Sequence, residues 1–156
     1  MKKVCLSILI LLILAAVAVA GVDFSGTCAA NADKSDPAPA GRGGGGGGGG
    51  GSADLAIKQA GNVLTITRSM GGNTMDTVYT MDGAEHSNTG PAGDLKYKAA
   101  LSGSSVHITG TQASQRGDRP VDQTYTLSDD GKSLTLVSVN QGQNGPTTRK
   151  QVFDKK

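Results

Sequence analysis

The chain has 156 residues, with 15 Lys and Arg against 13 Asp and Glu, two cysteines and no tryptophan. A formal charge of +2 gives no reason to expect nucleic acid or an anionic membrane surface as partner, and it vanishes if Lys2 and Lys3 leave with a leader. Only Cys28 would then remain, so no intrachain disulfide could form and stability would rest on packing Leu, Ile, Val, Met and a few Tyr.

Lys2 and Lys3 are followed by an apolar run over 8–20, and Ala18-Val19-Ala20 precedes Gly21 as a small-x-small cleavage pattern. That order reads as a cleaved signal peptide at 1–20. The run is shorter than the about 20 apolar residues that span a bilayer. Cys5 lies before it and Cys28 well beyond it, so a lipid anchor is not expected. The expectation is a secreted or periplasmic protein without stable membrane insertion, its working part a single domain at 21–156.

Residues 22–30 read as a first strand with Phe24, Gly26 and Cys28 on one side. From 33 to 52 the signals are those of a disordered, Gly-rich loop, including nine consecutive glycines at 43–51. Such a tract buries no apolar area and would lose the most backbone entropy on ordering. It matches G-x-G-x-x-G only trivially: no strand directly precedes it, no helical period follows, and Ser52 stands where a phosphate-binding loop needs lysine.

Period-two alternation then recurs. Leu55 and Ile57, a Gly61-Asn62 break, and Leu64 and Ile66 make a hairpin ending near Arg68. Met75, Tyr79 and Met81 share a face. Asp82-Gly83 is a turn dipeptide, and 85–88 could form a short strand. Leu95, Tyr97, Ala99 and Leu101 alternate with Lys96, Lys98 and Ala100, and Val106 and Ile108 return on the same face. Tyr125 and Leu127 precede a turn at 128–132, and Leu134 and Leu136 follow it. Val137 and Val139 fall on the opposite parity, which suggests a bulge or a strand covered on both faces. In the last strand, 147–154, the register with Arg149, Gln151 and Phe153 inward is favoured over the one with Lys150 and Val152, because Phe153 is the larger apolar group. Eight to ten short strands joined by turns lose their edges best by closing, so an all-β, antiparallel up-and-down barrel is expected ahead of a sandwich.

The segment Phe24-Ser25-Gly26-Thr27-Cys28 resembles the G-x-W first-strand motif of lipocalins, with cysteine in the tryptophan's place. Nearly all of 21–156 resembles the small secreted lipocalin-like domains of bacteria, whose phrases F-S-G-T-W, D-G-x-E, S-x-D-G-K-S-L-T-L and R-x-x-V-F/Y correspond to residues 24–28, 82–85, 128–136 (with one extra Asp) and 149–153. The resemblance implies a lipocalin-like barrel that binds a small, largely apolar ligand inside. It also implies that Arg149 lies across position 28 to close one end. Cys28 offers no aromatic plane, so a cation–π contact of about 0.5–2 kcal/mol would be lost there.

Catalytic material is sparse. His86 and His107 have no nucleophile or ligand partner at useful spacing, and Asp82, Asp94, Asp129 and Asp130 sit where aspartate serves turns. Asp129-Asp130-Gly131 lacks the spacing to glutamate of a calcium loop. The expectation is a non-enzyme with no catalytic residues, metal or cofactor. The inward Tyr79, Tyr97 and Tyr125, each with an apolar ring and a hydroxyl needing a partner, are the candidate ligand contacts. Two readings stay open: an exported lipocalin-like binder of a small apolar ligand, and a non-enzymatic envelope or extracellular scaffold whose barrel is filled.

Overall fold

The computed structural model describes residues 21–37, 54–70, 72–90, 93–113, 117–142 and 145–156. The leader expected at 1–20 and the glycine run at 43–51 lie outside them. Ten strands follow in chain order: β1 (Gly26–Asn31), β2 (Leu55–Ala60), β3 (Val63–Met70), β4 (Asn73–Thr80), β5 (Asp82–Gly90), β6 (Gly93–Ser102), β7 (Ser105–Gln112), β8 (Arg119–Leu127), β9 (Ser133–Gly142) and β10 (Gly145–Lys155). They form one antiparallel sheet in the order β4-β3-β2-β1-β10-β9-β8-β7-β6-β5. Because β1 pairs with both β2 and β10, the sheet rolls up and its two edges, β4 and β5, meet. The result is an up-and-down barrel, closed except for one seam.

The hairpin at Gly61 shows why the chain turns where it does. Ala60 pairs with Val63, and Gly61, the first central residue, has φ +60. This is the position at which a type II′ turn needs glycine, and such turns match the twist of the strands they join. Alternation then sets the faces. Leu55, Ile57, Leu64, Ile66, Tyr97, Ala99, Val106, Ile108, Tyr125, Leu134, Leu136 and Phe153 all point inward and are buried, whereas Lys96 and Lys98 are exposed.

Several expectations need correction. Met75 keeps the inward parity of Tyr79 but is 40% exposed, because β4 has no laddered neighbour on its outer edge. Leu101 is 37% exposed, since β5 reaches only as far along β6 as Ala100 and leaves Leu101 uncovered. No bulge occurs near Val137 and Val139, for β9 pairs without a register shift on both sides and both valines are half-buried on the outer face. The irregularity lies instead between Asp82 and Glu85, in a β5 that is nine residues long rather than a short strand. Phe153 is inward as expected, yet Val152 is buried too. Residues 32–37, placed mostly in the loop by sequence, fold back on β10: the Val152 N–H donates to Ser35 Oγ (2.8 Å), and the Asp36 N–H donates to the Lys150 carbonyl (2.8 Å).

A cleft where the barrel does not close

The β4–β5 seam is held by side chains in place of a ladder. The Thr80 N–H donates to Tyr97 Oη at 3.1 Å, and Asn88 Nδ2 donates to the Val78 carbonyl. These bonds satisfy edge groups that would otherwise face the gap. Above them the wall parts into a cleft of about 360 Å³. Met75 to Tyr79 line one side, Ser87 to Gly90 the other, and Leu95 and Gln112 lie among its lining residues. Its volume is at the lower end of the about 300–1,000 Å³ usual for ligand pockets.

Of the three tyrosines singled out by sequence, Tyr79 alone lines this cleft. Its ring meets Tyr97 edge to face, with centroids 5.1 Å apart and an interplanar angle of 87°, an arrangement that aromatic quadrupoles favour. Burial pushes the Tyr79 hydroxyl well above the usual tyrosine range, with Arg68 acting weakly in the opposite direction. The hydroxyl is therefore neutral near pH 7. Tyr125 is joined to this group through Arg68, whose Nη2 donates to Tyr125 Oη at 2.8 Å; a longer bond of 3.4 Å runs from that hydroxyl to Gln123 Oε1.

Arg68 is the residue that sequence reasoning missed as part of the site. The signal was present: continuing Leu64 and Ile66 by two residues puts Arg68 on the inner face. Arg149, Ser138 and Gln123 stand side by side on β10, β9 and β8, so a polar row crosses the inner wall. Arg149 Nε is enclosed with no hydrogen-bond partner among the described residues. Among them the basic side chains that meet a carboxylate are Lys34 on Asp154, His86 on Asp82 and His107 on Asp122, so neither Arg68 nor Arg149 has an acidic partner there. Partly buried guanidinium groups with unused donors attract an anion, because a charge withdrawn from water is stable only when paired and hydrogen-bonded.

Cys28 and Arg149, expected together at one end, are not brought together. Cys28 pairs with Lys155 across the ladder, and Arg149 lies six residues further along β10 towards the other mouth. Lys155 is the cation that crosses β1. Its Nζ donates to the Asp23 carbonyl at 3.0 Å, and its stem passes so close over Gly26 that a Cβ there would stand 2.7 Å from Lys155 Cε. A lysine stem can swing aside, so it is the backbone at Gly26, with φ +146, that favours glycine there. Phe24, sealed in the core, occupies this end. Burial pushes the Cys28 thiol above its ordinary pKa, and Lys155 offsets that in part. Such a thiol behaves as a small hydrophobe.

By sequence, no protein-family model and no curated protein matches the chain. By shape, it is similar to lipid binding protein 8 of Caenorhabditis elegans in its apo form (TM-score 0.53, 10% identity, 67% of this chain and 70% of that one). It is also similar to a zebrafish ileal bile acid-binding protein complexed with cholic acid (TM-score 0.51, 19% identity, 66% and 72%). At these identities the likeness defines the fold, a barrel of the lipocalin and fatty-acid-binding type.

Proposed function

We propose that this chain binds a small amphipathic anion, with the anionic head at Arg68 and Tyr125 and the apolar body at the cleft between β4 and β5. The observation that carries the reading is a pair of inward-facing arginines with no acidic partner among the described residues. The names of the barrels of similar shape, a lipid binding protein and a bile acid-binding protein solved with cholic acid, support the same class of ligand. The proposal is of binding rather than catalysis. It includes export through the leader, which sequencing the N-terminus of the recovered protein tests; Gly21 is the expected first residue.

Isothermal titration with decanoate and with 1-decanol is the direct test. Decanoate should bind, the alcohol should bind much more weakly, and Arg68→Met should remove the difference. Equal affinity for both in the wild-type protein would end the anionic part of the reading.

The scaffold reading keeps one observation in its favour, because Leu64, Val106, Ile108, Leu134 and Leu136 are completely sealed and leave no room beneath the cleft. Absence of any thermal shift across a panel of carboxylate and neutral amphiphiles would favour it.

A further inference from the structure

We infer that the ligand lies across the barrel wall, its tail passing between β4 and β5 so that the far end reaches solvent; this rests on the binding reading above. Three observations carry it. Below Arg68 the interior is closed to water, since Leu64, Ile66, Ile108 and Leu136 are all buried in one core cluster. A tail starting at Arg68 therefore cannot descend into the barrel as it would in a hollow one. Sideways, the way is open: Arg68 and Met75 are ladder partners, and on the inner face such neighbours have Cβ atoms about 4.5–5.5 Å apart. Met75 lines the cleft, as does Val78. Finally, among the described residues the exposed large hydrophobics are Met75 (40%), Val78 (41%) and Leu101, and the first two flank this opening. An apolar pair at the lip of a gap, beside an arginine with no acidic partner among the described residues, matches a single-chain amphiphile with an anionic head and an unbranched tail.

The ligand class follows from that geometry. A site that encloses the whole ligand rejects any bulk added at the tail end, whereas a site through the wall accepts it. Single-chain anions whose far end is extended or joined to another molecule are thus ligands of this barrel, on equal terms with the plain chain.

The experiment uses dodecanoic acid and the same acid carrying a fluorophore at its tail end, titrated into the full-length protein. Both should bind with affinities within about threefold, which is under 1 kcal/mol. The bound fluorophore should remain open to iodide quenching. Met75→Glu, at an exposed position that leaves the fold intact, should weaken both ligands at least about tenfold, and Val78→Glu should weaken them in the same direction. Binding that depends on Arg68 but shields the fluorophore from iodide, or that Met75→Glu and Val78→Glu leave unchanged, overturns the inference and spares the function. Loss of all Arg68-dependent binding in the wild-type comparison overturns both.

Discussion

From the turns at Gly61 and Gly103 to the middle of the barrel, inward positions carry Leu64, Val106, Leu134 and Leu136, all sealed. From the middle to the opposite mouth, inward positions of β3, β7, β8 and β10 carry Arg68, Gln112, Gln123 and Arg149, and the Arg149 Nε is enclosed without a hydrogen-bond partner among the described residues. Both halves belong to the same ladders, so backbone hydrogen bonding cannot distinguish them. The difference lies in what the inner face does with water. The apolar half excludes it and supplies the folding energy, at roughly 25 cal/mol for each Å² buried. The polar half gives up part of that energy to keep donors aimed inward beside an unclosed seam.

The largest effect expected on this contrast is from Leu136→Ala. It should cost about 2–5 kcal/mol in urea denaturation, through lost transfer energy and an unfilled cavity. Gln123→Ala, on the neighbouring strand in the polar half, should stay within about 1 kcal/mol. Comparable losses would show that the two ends are not distinct in energy.

Gly110→Ala should follow. A Cβ there would lie 2.1 Å from the Lys96 carbonyl oxygen and 2.9 Å from Tyr97 Cα, both backbone atoms that cannot swing aside. Pushing β6 and β7 apart should cost about 1–3 kcal/mol and loosen Tyr97, which ties the seam. Amide exchange at Thr80, whose N–H bonds to Tyr97 Oη, is the local readout.

Tyr125→Phe removes the acceptor of Arg68 without changing shape. A loss of about 1 kcal/mol is expected from thermal unfolding. Added decanoate should stabilise the variant less than the wild type, since the carboxylate then loses one of its two proposed partners.

The smallest effects belong to pH, and they separate inside from outside. The Tyr79 hydroxyl has its pKa raised by burial, so its contribution is present in full below the ordinary value of 10 and is lost as pH rises from there towards the folded value. Asp82 and Asp154 are held below the ordinary 3.8, Asp82 chiefly by its bond to His86 and Asp154 chiefly by its bond to Asn31. Their contribution is present above 3.8 and is lost as pH falls below it. Both aspartates are exposed, so the acid effect should shrink in salt, whereas the alkaline effect of Tyr79 should not. Urea midpoints across pH at two salt concentrations test both.

Much of the barrel could be read from the residues alone. Alternation at Leu55–Ile57, Leu64–Ile66 and Tyr97–Ala99 assigns faces because side chains in a strand point to opposite sides in turn. Turn residues such as Gly61 assign the connections, and Phe153 outweighs Val152 in choosing the register of β10. All three tyrosines are buried on the inner face, where the alternation puts them. What could not be read was distance along the axis. Parity says that Cys28 and Arg149 both face inward, but only the pairing of Cys28 with Lys155 shows them at opposite ends. Likewise, Met75 looks like a core residue until the sheet order reveals that β4 is an edge. The sequence by itself determined the class of fold and the inner face, because these follow from a period of two within each strand. Which strands failed to meet, which cation crossed β1, and which donors were left without partners were decided only by tertiary structure, because each depends on how far one strand is shifted against another.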